Sequence, residues 1–224
     1  MKKIIIFMCF SVFLAAGLEI DSKDIDRKNG KLYYKDVVLN GEYTIVFDKP
    51  SKLKWDSMFN DLSIEYEIYK VSNIFKNGKE AGETRAYGKD NELLIVNNKK
   101  EGKFLIKEFY YEGNLVEKLS RDDVNFLDSF FLNRTGAVLM GPYELYYKNG
   151  KIKEKGSFSI AKLSIPDYII KTSRKNGEIK RYYENGSLKE IILFKDGLRN
   201  GNSNYYDEDG NLLKTEKYIK GIKQ

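Results

Sequence analysis

The chain has 224 residues, a formal charge of +6, no histidine and one cysteine. Lack of histidine removes Ser-His-Asp and Cys-His catalytic arrangements and the usual zinc and non-haem iron sites, and a lone cysteine removes disulfide scaffolds. Three prolines against 18 glycines, 17 tyrosines and 13 phenylalanines suggest many short strands joined by tight turns.

At the N-terminus, Met1-Lys2-Lys3 is a positive stretch, Ile4 to Leu14 is uncharged and apolar, and Ala15-Ala16-Gly17 is small-residue. This reads as a secretory signal peptide over residues 1–17, cleaved after Gly17. The apolar run is too short to span a bilayer as a helix. Cys9 lies within it after Phe7-Met8, without the small residues of a lipoprotein site. Cleavage removes two lysines from the +6, leaving a mature chain at +4 with no cysteine and no transmembrane span. Such a chain is expected in the periplasm, on the cell surface or outside the cell. Lysines and acids are interspersed, as in Lys151-Ile152-Lys153-Glu154-Lys155, so the basic charge reads as a solvated mixed surface and no nucleic-acid partner is expected.

Residues 18–224 carry a repeat. Gly30 to Gly41, Gly186 to Gly197 and Gly210 to Gly221 are each 11 apart, while Gly78 to Gly102 and Gly197 to Gly221 are each 24 apart. Tyr110-Tyr111, Tyr146-Tyr147, Tyr182-Tyr183 and Tyr205-Tyr206 recur within the same frame. The unit is therefore about 24 residues, the period of a stacked array. Asn-Gly and Asp-Gly supply the positive φ that tight hairpins need, with Gly150, Gly186, Gly197, Gly210 and Gly221 as turn glycines. Alternation in the flanks, as in Lys180-Arg181-Tyr182-Tyr183, predicts strands, and isolated hairpins are marginal in water, so the units must stack. Asn91 stands where the unit expects glycine, and Lys99 where it expects an aromatic.

Three segments interrupt the period. Asp48 to Ser63 contains Trp55, Met58, Phe59 and Leu62 at helical spacing after Pro50-Ser51, and is expected to be a cap closing one end of the array. Residues 120–135 begin with a capping-box-like Ser120-Arg121-Asp122-Asp123 and predict a short helix or packed loop. Residues 159–171 contain Pro166 and read as a long turn.

The segments Arg181-Tyr182-Tyr183-Glu184-Asn185-Gly186-Ser187-Leu188-Lys189-Glu190 and Tyr146-Tyr147-Lys148-Asn149-Gly150-Lys151-Ile152-Lys153-Glu154 resemble the bacterial variant of the MORN repeat. The likeness is strong from Gly141 to the C-terminus and looser from Gly30 to Leu119. It implies an all-β array of stacked hairpins, an open antiparallel sheet used for interaction, and includes YwqK-type antitoxins and exported envelope proteins. It brings no catalytic residues and no cofactor.

The candidate binding residues are Tyr111, Tyr147, Tyr183 and Tyr206, whose rigid rings with polar tips suit a stripe for another protein, a glycan or a lipid headgroup. The competing reading makes the tyrosine pairs cross-strand packing. One member of each pair is expected to face inward and the other outward. Asp207-Glu208-Asp209-Gly210 hints at a calcium loop but starts from Tyr205, so it reads as a turn. Asp122-Asp123 reads as an acidic helix start rather than a glycosidase pair, which needs two acids across a cleft. An open sheet edge also offers strand addition without any signature residues. The function expected is that of an exported, non-enzymatic protein that binds another protein, with toxin neutralisation or headgroup and glycan binding as alternatives.

Overall fold

The computed structural model describes residues 17–57, 62–101, 104–122, 139–165 and 168–224, and these are almost entirely strand. β1 (Leu18–Asp21) precedes a small antiparallel sheet of β2 (Ile25–Lys28), β3 (Lys31–Tyr34) and β4 (Val37–Val38). The main sheet then runs through β5 (Gly41–Asp56), β6 (Ser63–Lys76), β7 (Lys79–Tyr87), β8 (Leu93–Glu101), β9 (Phe104–Tyr111) and β10 (Asn114–Asp122). It continues through β11 (Gly141–Tyr146), β12 (Ile152–Ile165), β13 (Tyr168–Lys175), β14 (Gly177–Tyr182), β15 (Leu188–Lys195), β16 (Leu198–Tyr206), β17 (Leu212–Ile219) and β18 (Ile222–Lys223). Strand order follows chain order and the sheet does not close. Every pairing is antiparallel except β1 with β5. The expected all-β open sheet is therefore what the chain forms.

Two turn types divide largely between the two edges of the sheet, the exception being Glu112-Gly113, a two-residue turn on the edge of the wider ones. Asn77-Gly78, Asp196-Gly197 and Lys220-Gly221 are two-residue turns with positive φ at both positions, the hairpin geometry that matches strand twist. On the opposite edge lie wider turns, Tyr147–Lys151, Tyr183–Ser187 and Asp207–Asn211. In each, the first N–H donates to the fifth carbonyl and the glycine N–H donates back to the first carbonyl. The turn Gly88–Glu92 has the same first-to-fifth bond, and Asn91 supplies its positive φ of 62°. Asparagine replaces glycine there because its short polar side chain tolerates the left-handed region. A bulge precedes each of these four turns, at Ala86/Tyr87, Leu145/Tyr146, Arg181/Tyr182 and Tyr205/Tyr206. That shared irregularity makes the repeat one geometric unit rather than a run of similar letters.

Two expectations are corrected. Residues 48–63 do not form a helical cap: β5 continues to Asp56 and pairs with β6 from Asp56↔Ser63 to Ser51↔Ile68. In β6, Ile64, Tyr66 and Ile68 are buried while Glu65 and Glu67 are exposed, a strict period of two that imposes strand on its partner. The helical spacing counted apolar residues on either side of residues 58–61, Trp55 in β5 and Leu62 just before β6; Met58 and Phe59 lie outside the described residues. Residues 159–171 likewise are not a long turn, because β12 and β13 pair continuously from Phe158↔Lys175 to Ile165↔Tyr168. Of the segment 120–135, Ser120–Asp122 belong to β10 and the rest lies outside the described residues, as do residues 1–16 of the signal-peptide reading.

The longest hairpin also makes a second layer. A register break between Val46 and Ser51, containing Pro50, bends β5, and its outer half folds onto the face of β8–β10. Trp55 stacks on Phe109 with centroids 4.2 Å apart and planes at 16°. Around this stack Ile64, Tyr66, Ile68, Ala86, Ile95 and Val116 form the largest core cluster. A second cluster holds Tyr143, Leu145, Phe158 and Ile179, and a third packs Ile20, Leu39 and Phe75 under the small sheet.

One carboxyl is enclosed where the bent hairpin meets the sheet. Glu117 is 1% exposed and accepts a hydrogen bond from the Ser57 hydroxyl. Burial pushes its pKa up to about 7, against the downward pull of Ser57 and Lys107. A carboxyl whose pKa is raised in the fold binds its proton more tightly there. Its contribution is complete below the unfolded value near 4.5 and is lost as pH rises through about 7. The urea midpoint is therefore expected to fall between pH 5 and pH 8, and Glu117→Gln should flatten that slope. An unchanged slope in the variant would show that another group controls it.

Candidate functional site: the tyrosine edge

The wide turns place the candidate tyrosines along one edge, where they bind one another's backbone. Tyr147 Oη donates to the Tyr182 carbonyl at 2.8 Å, and Tyr183 Oη donates to the Tyr206 carbonyl at 2.8 Å. Tyr66 makes a comparable bond to the Tyr110 carbonyl at 2.9 Å. Asparagine amides add further rungs, from Asn114 to the Lys148 carbonyl at 3.1 Å and from Asn185 to Glu208 at 3.2 Å. Lysines lie over the rings: Lys148 on Tyr111 at 5.3 Å, Lys153 on Tyr147 at 5.8 Å and Lys189 on Tyr183 at 5.2 Å.

Within this edge the four tyrosines have different places. Tyr147 and Tyr183 open the wide turns, whereas Tyr206 closes β16 and contributes its carbonyl. The position equivalent to Tyr147 and Tyr183 in the next turn is Asp207, because that turn starts one residue later relative to its tyrosine pair. Asp207 caps its own turn, accepting from Asp209 N at 3.1 Å and Asn211 N at 2.7 Å. These bonds, with that from the Asn211 side chain, hold its carboxyl below the ordinary value. Tyr111 ends β9 and joins the row through Lys148. All four rings are half-buried, and they stand at strand-end and turn positions. Gly150, Gly186 and Gly210 shape this edge, while Gly197 and Gly221 shape the other.

Sequence reasoning missed a charged row under the sheet. Glu154 accepts hydrogen bonds from Tyr143 Oη, Lys175 Nζ and Arg181 Nε, and Arg181 Nη1 reaches Glu190 Oε1 at 2.6 Å. Glu154 and Glu190 are 6% and 8% exposed. Burial alone raises the Glu154 pKa, but the bonds from Lys175, Tyr143 and Arg181 carry it below the ordinary carboxylate value. Gly156 makes room for this arrangement, since a Cβ there would lie 2.2 Å from Ile179 Cδ1 and 3.2 Å from Tyr143 Cε1. No signal in the Lys153-Glu154-Lys155 stretch distinguishes this residue from a solvated charge.

Among the described residues no cluster of three or more aspartate, glutamate, histidine or cysteine side chains is placed to hold a metal ion. Asp122 ends β10, and Asp123 lies outside the described residues. The fold and edge together define an open array of β-hairpin repeats with linked turns. Residues 141–159 and 175–196 match the family model described as MORN repeat variant, so these two stretches are similar to that repeat. MORN repeats are in general modules of interaction with proteins or membranes. No curated protein and no solved structure matches the chain.

Proposed function

We propose that the chain is an exported, non-enzymatic repeat protein that uses its extended sheet to hold another protein. The observation that supports this most is the tyrosine edge, where half-exposed rings are fixed by a turn-to-turn ladder before any partner arrives. Rings already immobilised lose little conformational entropy on contact, the condition under which tyrosine surfaces bind best. Export rests on the N-terminal pattern of Lys2-Lys3, the apolar run and Ala15-Ala16-Gly17. No helix among the described residues is long and apolar enough to cross a membrane.

The test uses the full-length chain in its native host with a photo-crosslinking residue at Glu184 or Glu208, both exposed on the wide turns. The expected result is a protein adduct outside the cytoplasm, with the chain at the mass of Leu18 to Gln224. A full-length cytoplasmic chain overturns export. Adducts confined to lipid or glycan overturn the protein partner.

A further inference from the structure

Among the described residues, the bent hairpin leaves one strand edge without a pairing strand. β7 pairs with β6 only from Lys70↔Tyr87 to Lys76↔Lys79, then turns away through Gly88–Glu92. Residues Ser63–Tyr69 of β6 are paired with β5 through Ser63–Ile68, but no described strand pairs with them on the β7 side. Alternate residues of an unpaired edge present N–H and C=O groups to whatever lies beside it. What lies beside this one is a groove of about 330 Å³, bounded by the edge, the Gly88–Glu92 turn and the end of β9.

The groove has a chemical character opposite to that of the chain. Glu65, Glu67, Glu92 and Glu112 line it against one lysine, Lys89, in a protein whose formal charge is +6. Lys52 reaches Glu65 and Glu67 only at 3.7 and 3.5 Å, and all three side chains are half or more exposed. Between the carboxylates stand the rings of Tyr66, Tyr69, Tyr110 and Tyr111. Tyr111 carries the Lys148 ammonium over its face, so one ring at the groove already meets a cation in the geometry that ring quadrupoles favour.

We infer that this groove receives an extended basic segment of a partner protein, added as a strand to Ser63–Tyr69 with lysine or arginine side chains between the tyrosines and carboxylates. Strand addition explains the length of the free edge, and the acids select the charge. The inference rests on the protein-binding reading above and names the site and the partner's chemistry.

The probe is a blocked eight-residue peptide of alternating lysine and valine, added to the full-length protein at low salt. Amide exchange should slow at residues 63–69, and binding should weaken at least tenfold in a Glu65→Lys, Glu67→Lys double variant. A milder pair, Glu92→Gln with Glu112→Gln, lies on turns outside the β6 ladder and should weaken binding without altering the unfolding midpoint. A peptide N-methylated at alternate residues should bind poorly, because it cannot pair with the edge. Equal binding of the methylated peptide, equal binding of a glutamate–valine peptide, or no peptide binding at all would overturn the groove. Binding of phosphatidylcholine vesicles through the same glutamates, with the peptide inert, would overturn it in favour of a headgroup site. Loss of the groove leaves the protein-binding reading standing if the wide-turn cross-links still form, and absence of those cross-links counts against that reading itself.

Discussion

Glu154→Ala is expected to lower the free energy of unfolding by about 1–3 kcal/mol, the usual cost of leaving a buried polar group without its partner. The expectation comes from what the substitution leaves behind. Tyr143 is 1% exposed and its hydroxyl loses its acceptor. Arg181 keeps Glu190, but Lys175 loses its carboxylate. Glu154→Gln should cost less, because an amide oxygen still accepts from Tyr143. Urea denaturation of the three proteins measures both values. A loss in the alanine variant below about 1 kcal/mol would place this row with surface pairs, which contribute little.

The same residue gives a pH signature opposite to that of Glu117. The Glu154 carboxyl is held below its ordinary value in the fold, so its contribution is present above the unfolded value of 4.5 and is lost as pH falls through the folded one. Glu117 loses its contribution as pH rises through about 7. The wild-type profile should therefore peak between the two titrations. Removing Glu154 should flatten its acid side, and removing Glu117 should flatten its neutral side.

The turns were readable in the sequence because their chemistry is local. Asp196-Gly197 and Lys220-Gly221 need positive φ at two successive residues, and glycine at the second position advertises it. Asn91 shows the limit of reading by letter, since it breaks the glycine pattern yet takes the same backbone region. Glu154 was unreadable because its surroundings are set by register: β14 brings Arg181 opposite it, and the C-terminal end of β13, away from its hairpin turn, brings Lys175. A Lys-Glu-Lys stretch on a strand looks the same whether its glutamate faces water or a guanidinium. The bend in β5 was hidden for a related reason. Trp55 finds its stacking partner in Phe109, 54 positions later, and no spacing within residues 48–63 encodes that contact. The β6 edge, unpaired among the described residues, follows from the same bend and was legible only as a general property of open sheets.

Phe109→Ala is expected to cost about 3–5 kcal/mol, the range for removing a buried aromatic ring. Phe109 is 3% exposed and stands in the sheet row Ala86, Ile95, Phe109, Glu117, with Trp55 stacked on its ring and the Lys107 ammonium 4.8 Å from its centroid. The ring has two jobs, filling the core and anchoring the folded-over hairpin, and fluorescence separates them. Trp55 is the only tryptophan. If the hairpin is held chiefly by this stack, the variant's emission should shift to the red at denaturant concentrations where the far-ultraviolet sheet signal is still native. One coincident transition would instead mean that the hairpin and the sheet unfold as a single unit. The distinction reaches the groove, because Ser63–Tyr69 are carried by that hairpin. An undocked hairpin separates their edge from the carboxylates of Glu92 and Glu112. Phe109→Ala should then abolish binding of the basic peptide while the tyrosine edge, tied by the bonds of Tyr147 and Tyr183, still forms its cross-links.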